Sequence, residues 1–154
     1  MLEMRDQGPD RPDDVISDPM QPGIRCDPAR SVYYIVESAP ISFESLNAGE
    51  SIERHGAVLI RVFSDRDWIL KLTPVGPLRV EETGGIVPFE RVEWRSRLSG
   101  GYSIFREGVQ AVVGRGARTG AGGELVVLDL RMQLLDSDPA GHYQTSLRVT
   151  VEGY

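Results

Sequence analysis

The 154-residue sequence predicts an all-β protein: an antiparallel immunoglobulin-like (or jelly-roll-like) β-sandwich behind an extended N-terminal arm. Three observations carry this. From Val32 onward, apolar side chains recur at every second position. No window shows the i, i+3, i+4, i+7 stripe of an amphipathic helix. Clusters of Gly, Pro, Asp and Ser separate the alternating runs, as turns separate short strands.

The last strand shows the alternation best. Tyr143, Thr145, Leu147, Val149 and Val151 share one face, and Gln144, Ser146, Arg148, Thr150 and Glu152 share the other. Successive side chains of a strand point to opposite faces, so this is a half-buried antiparallel strand. The preceding run does the same, with Val126, Leu128, Leu130, Met132 and Leu134 on one side. Between them, Asp136-Ser137-Asp138-Pro139-Ala140-Gly141 predicts a hairpin turn with Tyr143 buried and its hydroxyl bonded to nearby backbone, a tyrosine corner. Residues 31–36, 41–46, 57–63, 68–72, 92–97, 102–106 and 109–113, with a short strand beginning at Leu78 and Val80, complete eight to ten strands. Trp68 and Trp94 fall on apolar faces and are expected as core anchors between two sheets rather than as a sugar-stacking platform.

The chain divides near residue 30. Residues 1–30 hold five of the ten prolines, seven acidic residues and four arginines, with apolar residues in no period. Such a stretch cannot bury enough surface to offset its ordering entropy alone. Residues 31–154 are therefore the domain. The arm still carries Val15, Ile16, Met20 and Ile24 as apolar anchors, and Cys26, the chain's one cysteine. It is expected to link subunits, since an extended segment can add to an open sheet edge. The alternative is a tail with a spectator thiol.

Composition excludes several classes. A net charge of −6 argues against non-specific nucleic-acid binding, which needs a cationic surface. No apolar run reaches the ~18 residues of a membrane span. Residues 1–14 lack the apolar core of a signal peptide, so none is expected in the chain as given. One cysteine excludes an intrachain disulfide.

Candidate chemistry is sparse. The glycine-rich run 114–123 invites an anion-binding reading through Arg115 and Arg118, because two guanidinium groups can fork onto one anion. A phosphate-binding loop would need a following helix and a Lys, so a flexible hairpin loop is expected instead. His55 and His142 each neighbour a glycine and are expected in solvated turns. No metal site and no cofactor are expected, since zinc would need three or four ligands. Asp65, Asp67, Asp136 and Asp138 cluster in turns without the EF-hand spacing. No acid, base and nucleophile assemble into a catalytic set, so the chain is read as a non-enzyme.

Three segments carry a resemblance. Phe43-Glu44-Ser45-Leu46-Asn47-Ala48-Gly49, Asp67-Trp68-Ile69-Leu70-Lys71-Leu72-Thr73, and Gly141-His142-Tyr143 followed by Leu147-Arg148-Val149-Thr150-Val151 resemble bacterial surface immunoglobulin-like domains of the fimbrial and WxL kinds. Where WxL domains carry a second W-x-L, this chain reads Leu147-Arg148-Val149. The WxL resemblance implies peptidoglycan binding, while the fold and arm lead us to expect a structural subunit of an extracellular, cell-surface or spore-surface assembly, a homo-oligomer or filament linked through the arm. The alternative is a monomeric module that binds carbohydrate or cell wall. The cytoplasm is the other location left open.

Overall fold

The structure is a computed structural model that describes residues 15–21, 23–25, 31–47, 49–97 and 100–154. Cys26 lies outside the described residues. Among the described residues there is no α-helix, and all strand pairs are antiparallel. The fold is an all-β sandwich.

In chain order the strands are β1 (Val15–Pro19), β2 (Gly23–Arg25), β3 (Val32–Val36), β4 (Ser42–Leu46), β5 (Ser51–Ser64), β6 (Trp68–Pro74) and β7 (Leu78–Val80). They continue as β8 (Ile86–Val87), β9 (Val92–Ser96), β10 (Ser103–Ile104), β11 (Ala111–Gly116), β12 (Glu124–Gln133), β13 (Gly141–Gln144) and β14 (Leu147–Gly153). One layer is a six-stranded sheet, β10-β9-β12-β5-β3-β2. The other begins as a four-stranded sheet, β1-β14-β6-β11, and continues into a second four-stranded sheet of shorter strands, β4-β13-β7-β8. The two share chains end to end: β6 runs on into β7, and β13 into β14. A bond from the Val75 amide to the Ser146 carbonyl (2.9 Å) holds the join, where Gly76 and Pro77 interrupt one strand.

Alternation produces the layers. In β6 the odd-numbered partners Ile69, Lys71 and Thr73 face out, while Trp68, Leu70 and Leu72 are buried. Val126, Leu128, Leu130 and Met132 of β12 oppose them from the six-stranded sheet in one continuous core. Burying a side chain of this size contributes about 1.5–3 kcal/mol, so these two strands anchor the domain.

Three expectations change. First, residues 15–21 and 23–25 do not stand apart from the domain. β1 pairs with β14 over Val15↔Glu152 to Pro19↔Arg148, and β2 pairs with β3. The arm thus laces both layers along one side of the sandwich, and the fold starts earlier than residue 31. Ile16 is buried, Met20 packs on the core, and Val15 is exposed. Second, neither the glycine-rich run nor Asp136–Gly141 is a hairpin turn. Each crosses between layers, from β11 to β12 and from β12 to β13. The strands on either side bury faces that point toward each other, so they pair with other neighbours. Third, Trp94 is only half-buried, whereas Trp68 has no exposed surface.

Candidate functional site

The unequal layers create the most distinctive surface. β11 lies over β12 and β9, so the β9–β10 end of the six-stranded sheet projects past the edge of the four-stranded one. Among the described residues, no strand covers the inner face of that projection. Near Val92 the gap is closed by Phe105, whose amide donates to the Val92 carbonyl (3.1 Å) and whose ring meets Phe89 edge-on at 5.6 Å. Trp94 packs against the same Phe105 ring at 6.2 Å, which accounts for its partial burial. At the other end of β9 the gap stays open.

There a cleft of about 170 Å³ opens beside β11. Trp68, Val113 and Val126 give it an apolar lining, and Arg97, Arg115 and Glu124 contribute charge. Two glycines bring β11 close to Trp68. A Cβ on Gly116 would stand 2.8 Å from the Trp68 ring, and one on Gly114 would stand 3.0 Å from a Val126 methyl. The Trp68 indole donates to the Ala117 carbonyl at 3.0 Å, which fixes the ring across the strand end. A buried indole N–H needs such a partner.

Arg115 and Arg118 are not brought together. Arg115 borders the cleft, but it pairs with Ile69 on the outer face of β11, while Arg118 lines a separate shallow hollow with Tyr33, Phe63 and Thr119. The structure instead places Arg97 on the same cleft as Arg115. No sequence signal could have joined these two, because they come from different layers. The rest of the glycine-rich run is tied down by Thr119, whose hydroxyl accepts from the Ser64 amide at 3.0 Å.

A second polar cluster covers the outer face of the six-stranded sheet. Arg95 pairs with Asp129 (2.9 Å) and Arg131 with Glu93 (2.7 Å), both between β9 and β12. The two guanidinium carbons lie 4.6 and 4.1 Å from the Tyr102 ring centre, a favourable cation–π arrangement. The Tyr102 hydroxyl donates to Glu53 at 2.5 Å. Burial, and then that bond, push the Tyr102 phenol up to about 12. The Tyr102 bond also holds the Glu53 carboxyl below its ordinary range. Burial works to raise the Asp129 carboxyl, but bonds from Arg95, the Gly56 amide and His55 outweigh it and keep it low. Each charge here answers another, so the cluster is a cross-strand ladder that stabilises the sheet. His55 belongs to it: it stands within strand β5, 3.5 Å from Asp129, and not in a turn. His142 is likewise in a strand, β13, where its ring holds the Glu82 carboxyl down at about 2.

The corner before β13 has the chemistry expected of it. Tyr143 is buried and its hydroxyl donates to the Pro139 carbonyl. Burial raises its phenol above the ordinary range. Asp138, itself buried, accepts from Arg91 (2.7 Å) and from the Leu135 amide (2.7 Å). Asp138 therefore caps its own turn and ties it to the 3-10 turn Phe89–Arg91. Among the described residues, no three His, Cys, Asp or Glu side chains group as metal ligands. Nor is any helix among them long and apolar enough to cross a membrane.

No protein-family model, curated protein or solved structure matches this chain.

Proposed function

We propose that this protein is a non-enzymatic structural subunit of an extracellular or cell-surface assembly, joined to its neighbours through its N-terminal strand. One observation supports the reading above others. β1 is an edge strand with a single buried side chain, Ile16, and its ladder to β14 and its bond to Tyr34 of β3 could be made equally to another copy. Among the described residues its side-chain polar links include Ser17 to Thr150 (2.9 Å), Asp18 to the Tyr34 hydroxyl (3.2 Å), and Arg148 to the Ser17 carbonyl (3.1 Å). An edge strand that buries a single side chain has a lower cost of opening than a core strand, and exchange of an identical element between copies conserves its contacts. In this reading Val15, Ile16 and Met20 link subunits by exchange and not by reaching a separate pocket.

The experiment is light scattering and negative-stain electron microscopy of concentrated full-length chain beside Ile16→Asp. Oligomers or filaments from the unmodified chain, lost in the variant, are expected. A strictly monomeric unmodified chain at high concentration contradicts the reading. A second reading, a monomeric binding module for carbohydrate or cell wall, is favoured by the cleft beside Trp68. It gains support if the monomer retains a cell-wall oligosaccharide and Trp68 fluorescence changes on binding.

A further inference from the structure

The β11 side of the sandwich carries a feature that strand exchange at β1 does not use. β11 is an edge strand of six residues, so one row of its main-chain donors and acceptors has no strand partner. The cleft lies directly beside it, between the layers, where another strand of the four-stranded sheet would otherwise cover β9. Its volume, about 170 Å³, is near the ~150 Å³ that accepts one benzene-sized group. Gly114 keeps the space open, because any side chain there would press on Val126. Val112, 40% exposed, lies on the same edge strand.

Charge selects the occupant. Arg61, Arg91, Arg95 and Arg131 each hold a carboxylate at 2.6–2.9 Å. Arg97 and Arg115, both exposed and bordering the cleft, have no carboxylate within ion-pair distance among the described residues. Arg115 stands on the outer face of β11, beside Ile69, where the outward side chains of an added strand would lie, and Arg97 borders the cleft with Glu124 as the one acid there; two arginines to one acid make this edge net cationic on a chain whose net charge is −6. A guanidinium recognises carboxylates by paired, charge-assisted hydrogen bonds.

We propose that this edge binds an extended acidic peptide strand. It adds alongside β11 by main-chain hydrogen bonds, lodges one apolar side chain against Trp68, and places acidic side chains on Arg97 and Arg115. Main-chain pairing supplies affinity in such strand addition, and side-chain pockets supply selectivity. The site is on the opposite edge of the sheet from β1, so it stands or falls independently of strand exchange.

The test is calorimetric titration of the full-length chain with a hexapeptide alternating phenylalanine and aspartate, and with its phenylalanine–lysine counterpart. The aspartate peptide is expected to bind, more weakly as salt rises, and the lysine peptide is expected not to bind. Arg97→Glu with Arg115→Glu should weaken binding about tenfold or more, the scale of one lost charge-assisted bond. Gly114→Val should also weaken it by filling the cleft, and Arg118→Glu, on the other hollow, should leave it unchanged. Near-ultraviolet circular dichroism checks the fold of each variant, and the two exposed arginines decide the matter if Gly114→Val does not fold. Equal binding of both peptides, no binding of the aspartate peptide, or an unchanged Kd in the arginine variant overturns the proposal. So does binding of a neutral cell-wall oligosaccharide that excludes the peptide.

Discussion

The two edges of the four-stranded sheet are built differently. At the β1 edge the chain returns on itself and places an edge strand on each layer, β1 on one and β2 on the other. That edge is held by side-chain bonds between Ser17, Thr150, Asp18 and Tyr34, with one buried aliphatic residue. At the β11 edge the strand is thinned by Gly114 and Gly116, lies against the Trp68 ring, and leaves the neighbouring layer uncovered. The first edge is closed by a segment that contributes little to the core. The second is open above a residue that contributes much. Closure of an edge and stability of the fold are therefore carried by different residues here.

Substitutions at the two edges sharpen that contrast. Trp68→Ala is expected to cost about 3–5 kcal/mol, the range for a fully buried indole, and Trp94→Ala clearly less, because its ring is half exposed. Equal losses in urea unfolding would show that the open edge does not set their burial. Gly116→Ala comes next, at about 1–3 kcal/mol for forcing a methyl into the Trp68 ring. A neutral result would mean that β11 can move away from Trp68. Tyr143→Phe should keep the fold and cost about 1 kcal/mol, an effect remote from both edges that calibrates the rest.

The acid response of stability should come from paired carboxylates, the corner's Asp138 among them beside Glu53, Glu82 and Asp129. The Arg91 bond holds the Asp138 carboxyl below the ordinary value of about 3.9. A depressed carboxylate stabilises the fold above its unfolded value, and that contribution is lost as pH falls through its folded one. Unfolding midpoints measured from pH 6 downward should therefore fall, and fall less in Asp138→Asn, which is already destabilised at neutral pH. An identical slope in the variant would remove Asp138 as a contributor. Tyr102 has the opposite sign. Its raised phenol favours the protonated form in the fold, so stability should be held below pH ~10 and decline as pH rises toward about 12.

How much of this was legible depended on how many side chains each strand buries. β12 and β14 bury a long alternating face, so their sequence alone announces them. β1 buries only Ile16 of five residues, and its Asp18 and Pro19 read as arm; its strand character comes from pairing with β14, which no local pattern encodes. His55 read as a turn residue because Gly56 follows it. Gly56 instead takes a positive φ of 65° inside β5, beside a register shift opposite Leu128 and Leu130. There its amide bonds to Asp129 at 2.8 Å. Trp94 alternates as a core residue should, yet the layer that would cover it stops at β11. The tyrosine corner was visible because it is local: donor and acceptor, Tyr143 and Pro139, are four residues apart. The Arg97–Arg115 rim was not, since it depends on which strands lie across from each other.

The N-terminal strand β1 closes one edge of the sandwich, and we propose that it passes between copies. Ser17 and Thr150 are register partners whose hydroxyls lie 2.9 Å apart, and antiparallel partners of this kind are close enough for a disulfide. The direct test is Ser17→Cys with Thr150→Cys in a Cys26→Ser background, oxidised at high concentration and run on a non-reducing gel. Exchange should give a ladder of covalent oligomers that collapses on reduction. A single cross-linked monomer at every concentration would show that the strand stays on its own sandwich, and would contradict the account.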